Sequence, residues 1–227
     1  MLWYIYDGSF SGLLTAIYES YYRRQIPEAI MVEEARQNAL FTEQVIIPTD
    51  EEKADKVYTA ICEKISRYAL HNVYCVFLAQ LPESEMLIYY YLGLGFKLGA
   101  KVDSHLGDKR IFQVHQVAKK VRFEAHRMLG LIRFRQLKNE LYYAEIEPDH
   151  NILELVAPHF TRRMANQNWL IHDVKRGLAA IYNQKEWAIM PLTSQENLPV
   201  SETENLYQSL WQQYFSSIAI TSRTNPI

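Results

Sequence analysis

Cysteine is scarce in this chain, with two among 227 residues. Cys62 and Cys75 both stand among apolar neighbours, which fits reduced core thiols of a cytoplasmic protein better than a disulfide framework or a thiolate metal site. Long apolar runs are missing too. Nothing approaches the ~20 residues of a membrane span, and the N-terminus lacks a basic region followed by a long apolar core, so neither a membrane segment nor a signal peptide is expected. No HxH, HExxH or CxxC spacing appears, so no metal site is predicted and no cofactor is named. Glycines number eight, and none falls in the Gly-x4-Gly-Lys-Ser/Thr spacing of a P-loop. The run GLGFKLG, Gly93 to Gly99, follows a helical tyrosine-rich stretch rather than a strand, so it reads as helix packing and termination and not as a dinucleotide loop.

What is present is ordinary globular composition, 48% hydrophobic and 22% charged, with 16 Tyr and 4 Trp. The net charge of −2 is unevenly spread. Residues 101–190 carry fifteen Lys and Arg against ten Asp and Glu, a local +5, while the remainder carries −7. A basic half beside an acidic half is compatible with a local anion or nucleic-acid surface.

Periodicity divides the chain. Leu2 to Tyr6 is a β-prone run closed by Asp7-Gly8-Ser9, and a helix follows with Ser9 as N-cap. That junction is either an anion site at a helix N-terminus or a plain capped helix. Residues 28–41 are ambiguous, and Val45 to Ile47 reads as a brief strand. Thr49 with Glu52 forms a capping box opening a helix whose stripe runs from Ala54 to Ala69. A second apolar segment, Val73 to Leu81, precedes a third helix from Glu83 to about Lys97. Ile111, Val114, Ala118, Val121, Ala125 and Leu129 recur at helical spacing, and from Leu131 the period becomes two. A hairpin is expected there, turning at Lys138-Asn139-Glu140, with Arg133 opposite Glu145 and Arg135 opposite Tyr143. Glu147-Pro148-Asp149-His150-Asn151 is a turn in which Asp149 or Asn151 caps a helix starting near Ile152. Three further strands follow, turning first at Arg176-Gly177. Residues 193–200 read as a linker. Ser201 and Glu204 then cap an amphipathic helix carrying Leu206, Leu210, Trp211, Tyr214 and Ile218.

The expected fold class is α+β: a helical N-terminal half packed with an antiparallel sheet of about five strands, plus a C-terminal amphipathic helix. Residues 1–192 are expected to form one domain, mainly helical over 1–107 and helix plus sheet over 108–192, with 193–227 as linker and final helix.

Three clusters carry chemistry: Glu124, His126 and Arg127; Asp149, His150 and His159; His172, Asp173 and Arg176. Histidine with Asp suits acid–base work, and Arg suits phosphate. His126, Asp149, His150 and His159 are the catalytic candidates, expected to converge on one pocket. Structural capping is the alternative for them. Arg127, Arg133, Arg135, Arg162, Arg163 and Arg176 are the candidate anion-facing residues, although a solvated face with weak ion pairs explains the hairpin arginines equally well.

The segments YDGSFSGLLTAIYESY, EAHRMLGLIRF, IEPDHNILELVAPHFTRR, WLIHDVKRG and LWQQYFSSIAITSRTNP together resemble the bacterial DUF4130 family across nearly the whole chain. The resemblance implies a probable DNA metabolism or putative DNA repair role. It also implies a neighbouring radical-SAM protein assigned to DNA modification or repair, and in some bacteria fusion ahead of a uracil-DNA glycosylase-like domain. It assigns no reaction and so no catalytic residue. Two departures stand out. Gly130-Leu131 replaces a Gly-Phe pair, and after Asn225-Pro226 the basic segment with its Tyr-Trp pair is absent, which implies weaker DNA binding if that tail holds DNA. The function expected is a nucleic-acid-binding protein working with a radical-SAM partner. A stand-alone enzyme acting on damaged DNA or a nucleotide, and a protein-interaction scaffold, are the alternatives.

Overall fold

The computed structural model describes residues 1–33, 42–137 and 141–192. The turn expected at 138–140, the linker at 193–200 and the C-terminal amphipathic helix lie outside the described residues. The chain divides into two compact units, Met1–Val121 and Arg122–Ile227, and its class is α+β.

The first unit pairs a small parallel sheet with helices. Strands β1 (Leu2–Tyr6), β2 (Ala29–Val32) and β3 (Glu43–Ile46) lie in the order β2-β1-β3, both pairings parallel. Helix α1 (Phe10–Arg23) connects β1 to β2, as a parallel connection requires a crossover. Its first turn is capped by Ser9, whose hydroxyl accepts from the Gly12 amide. Helix α2 (Glu51–Lys64) is capped by Asp50, not by Thr49. The expected capping box is off by one because the Thr49 hydroxyl donates to Asp7 Oδ2 at 2.7 Å instead.

The helix expected to continue to Ala69 stops at Lys64. Ser66 caps a new helix, α3 (Arg67–Ala79), by accepting from the Ala69 amide. Helix α4 (Ser84–Leu98) contains most of GLGFKLG. A Cβ built on Gly95 would lie 2.5 Å from Ile65 Cδ1, so that glycine is a close packing contact, and Gly99 at φ +62 ends the helix. A 3-10 turn (Gly99–Ser104) leads to α5 (Lys109–Leu131). Ile111, Val114, Ala118, Val121 and Ala125 are all buried, as their spacing predicts.

Among its described residues, the second unit holds the end of α5, a five-stranded sheet and a crossover helix. The strands are β4 (Arg135–Gln136), β5 (Leu141–Ile146), β6 (Asn168–Asp173), β7 (Leu178–Asn183) and β8 (Trp187–Pro191), paired in that order. The sheet is mixed rather than antiparallel throughout, because β5 and β6 run parallel. Their connection holds helix α6 (Leu153–Arg163), and a crossover of that length returns the chain in the same direction. The other three pairings are antiparallel.

The expected first hairpin is much reduced. Helix α5 persists to Leu131, and the Ile132 amide still donates to the Met128 carbonyl at 2.9 Å. Arg133 turns back and donates to the Gly130 and Ile132 carbonyls, so it caps the helix and lies outside the β4–β5 ladder. Arg135 does pair with Tyr143 in register.

Side chains alternate across this sheet. Trp169, fully buried, packs against Phe160 of α6 at 6.4 Å between ring centroids and against Phe134 at 6.3 Å. The opposite parity forms a second apolar layer of Leu141, Tyr143, Leu170, Ile181 and Met190.

Candidate functional site

The turn at Pro148–His150 follows β5 and lies beside the turn that follows β6. The carboxyl ends of two adjacent parallel strands therefore meet there, the edge where open α/β sheets place ligands. Two charged side chains clamp this turn. Glu124, on α5, accepts the Asp149 amide through Oε1 at 2.6 Å and the His150 amide through Oε2 at 3.0 Å. The same Oε2 bonds His150 Nδ1. From the other side, Arg176 Nη1 donates to the Pro148 carbonyl at 3.0 Å, and Nη2 donates to the Asp149 carbonyl at 2.6 Å. Arg176 is itself held by Asp173, whose carboxylate is 0% exposed and accepts from Nη1 at 2.9 Å and from the Arg176 amide at 3.2 Å.

This clamp replaces the expected helix cap. Ile152 occupies the N-cap position of α6 with no capping side chain, so neither Asp149 nor Asn151 serves that role. The amides of the turn go to Glu124 instead. Burial pushes the Glu124 carboxyl up, but the Asp149 amide, the His150 ring and the His150 amide more than offset it and leave Glu124 below the ordinary 4.5. A lowered carboxyl stabilises the fold above its unfolded pKa, and that stabilisation is lost as pH falls through the folded value. Glu124→Gln is therefore expected to cost roughly 1.5–3 kcal/mol near neutral pH, the range for a hydrogen bond to a charged group. Its unfolding free energy should also fall less steeply on acidification below about pH 5 than that of the parent. Chemical denaturation at pH 7 and pH 4 reads both effects.

Chemically, a carboxylate on Nδ1 fixes the His150 ring and its tautomer, and leaves Nε2 as the nitrogen for acid–base work or ligation. Both side chains are mostly buried, at 15% and 19% exposure. Among the described residues, no three His, Cys, Asp or Glu side chains stand together as a metal-ligand set.

Among the described residues, none of the other candidate histidines hydrogen-bonds to this turn. His126 is exposed on α5 two positions after Glu124, about 200° around the helix from the residue that holds His150. His159 lies on α6 with its ring edge-on to Phe160 at 5.1 Å. Its buried Nε2 has no hydrogen-bond partner among the described residues. The cluster of His172, Asp173 and Arg176 splits, since consecutive strand residues face opposite sides. Asp173 takes Arg176, whereas buried His172 meets the Tyr143 hydroxyl through Nδ1 at 3.0 Å. Burial lowers the His172 pKa. Burial also raises the Tyr143 phenol, and the Glu145 carboxylate that accepts its hydroxyl raises it further.

The arginines divide into used and free. Arg133 caps α5, Arg135 reaches Glu145 at 3.3 Å, and Arg176 is spent on the turn. Arg162 and Arg163 are exposed in the last turn of α6, and Arg127 is exposed with its guanidinium 5.8 Å from the Phe123 ring centroid. No carboxylate pairs with these three among the described residues.

The strand–DGS–helix junction is occupied by the chain itself. Asp7 Oδ1 accepts from the Ser9 amide at 2.9 Å and the Ser9 hydroxyl at 2.7 Å, and a Cβ on Gly12 would clash with that oxygen. A carboxylate thus already fills the place an external anion would take. Burial raises the Asp7 carboxyl, but the Ser9 and Thr49 bonds bring it below its ordinary value.

Sequence reasoning placed Glu124 in a cluster but not among the candidate catalytic residues. Its signal is two positions from His126 on a stripe-bearing helix, which periodicity alone does not connect to a turn 25 residues away. A family model described as a domain of unknown function, DUF4130, matches residues 82–227. No curated protein matches the chain. Among the described residues no helix is long and apolar enough to cross a membrane.

Proposed function

The chain belongs to the DUF4130 family, and we propose that it is a nucleic-acid-binding protein of DNA repair or DNA metabolism that works with a radical-SAM partner. The observation that carries this reading is the set of exposed, carboxylate-free arginines in the second unit, Arg127, Arg162 and Arg163. Arginine matches phosphate because its planar fork makes two parallel hydrogen bonds. An exposed arginine without an internal partner keeps those donors available, in contrast to Arg133, Arg135 and Arg176.

A second reading has its own support. The Glu124–His150 pair at the carboxyl edge of β5 and β6 has the geometry of an oriented acid–base group. On that reading the chain acts on damaged DNA or a nucleotide, with His150 as the proton-transfer residue and the arginines holding the phosphate.

Titrating the purified chain against fluorescein-labelled single-stranded and duplex oligonucleotides at low salt tests the binding reading. Saturable binding is expected. Flat anisotropy with every oligonucleotide contradicts it. His150→Gln separates the two readings, because it should leave affinity intact and remove turnover of a lesion-containing strand if the pair is catalytic.

A further inference from the structure

We infer that the exposed face of α5 around Phe123, Arg127 and Gly130 stacks an unpaired base of single-stranded nucleic acid. This rests on the nucleic-acid reading above and narrows it to a strand form. Phe123 is 61% exposed, and Arg127 one turn later lies over it. Positions 123, 127 and 130 are spaced i, i+4 and i+7, so they share one side of the helix. His126 and Leu131 flank that side, both exposed. No acidic residue belongs to it, and Glu124 is turned to the Pro148–His150 turn.

Gly130 supplies the independent observation. It lies in the last turn of the helix, where glycine is less favourable than alanine. Its φ is not among the positive ones, and a Cβ built on it meets nothing within 4 Å among the described residues. Among the described residues, neither backbone conformation nor packing calls for glycine. A bare backbone beside an exposed ring does suit close approach by something outside the fold. Cations, an exposed π-face and no carboxylate complement a polyanion with accessible bases. In a duplex the base faces are hidden in the stack, and only edges and phosphates are presented. In a single strand each base offers a face, and aromatic stacking with a cation nearby is how sequence-tolerant binding of such strands is built.

The test compares Phe123→Ala, Phe123→Trp and Gly130→Ala with the parent, using a dT-rich single strand and a duplex of equal length at fixed salt. Phe123→Ala should weaken single-strand binding on the order of 10-fold and leave duplex binding unchanged, as loss of one stacked base implies. Phe123→Trp should retain single-strand binding. Gly130→Ala should weaken it while the melting temperature holds or rises, because alanine is the better helix former. Unchanged single-strand affinity in folded Phe123→Ala, or an equal loss on both forms, overturns the inference. No binding by the parent to either form removes the nucleic-acid reading itself, a different result from loss of the strand preference.

Discussion

Arg176→Ala is expected to destabilise the protein by about 3–5 kcal/mol, the range for breaking a buried ion pair from one side. Asp173 is fully buried, and Arg176 provides both its guanidinium and its amide. Removing the guanidinium leaves the buried carboxylate without the cation it pairs with, and the cost of that isolation exceeds what the pair contributes as a pair. The Pro148 and Asp149 carbonyls lose their donors in the same step. Arg176→Lys should fall between the two, since one ammonium on a flexible stem does not span Asp173 and two carbonyls at once. Pairing Arg176→Ala with Asp173→Asn should restore part of the loss, because a neutral amide no longer requires a counter-charge. Urea denaturation with a fixed slope measures all four proteins. A midpoint for Arg176→Ala within about 1 kcal/mol of the parent would show that the clamp does not hold the turn.

Reversing Arg162 and Arg163 together to Glu is expected to weaken oligonucleotide binding by roughly 100-fold or more at low salt. A hydrogen bond to a charged group contributes about 1.5–3 kcal/mol, and two lost contacts give that factor before repulsion is counted. The fold should survive, because both side chains are exposed and unpaired among the described residues. Some loss of stability is expected, since the arginines stand in the last turn of α6, where positive charge complements the helix dipole at ~0.3–1 kcal/mol each. Circular dichroism and the thermal midpoint separate that effect from binding. Unchanged affinity in the folded double variant would place the anion-facing surface elsewhere.

Particular elements show how far the sequence reaches. The stripe Ile111 to Ala125 announced α5 because its period is 3.6 and one side is buried throughout. The Arg135–Tyr143 register followed from counting across the 138–140 turn. The parallel pairing of β5 with β6 was not readable, because a strand's period of two is the same whichever way its neighbour runs. The break at Ile65–Ser66 was hidden by apolar residues that keep helical spacing on both sides of it, and Ser66 lacks the Glu three positions on that completes a capping box. At the site, the 148–150 turn and the Arg176-Gly177 turn were legible as turns. The clamp was not, because it depends on Glu124 reaching 25 residues along the chain and on Arg176 reaching back 27 and 28 residues. Local pattern says nothing of such distances. For the same reason Arg133, Arg135 and Arg176 looked equivalent to Arg162 and Arg163 in the sequence, and only their partners distinguish them.

Salt dependence of oligonucleotide binding by the unmodified chain tests the central claim most directly. Each phosphate neutralised on a single strand adds about −0.7 to the slope of log K against log salt. Contacts from Arg127, Arg162 and Arg163 therefore predict a slope of about −2. A slope near zero, or no measurable binding even at low salt, would mean that these arginines meet no phosphate.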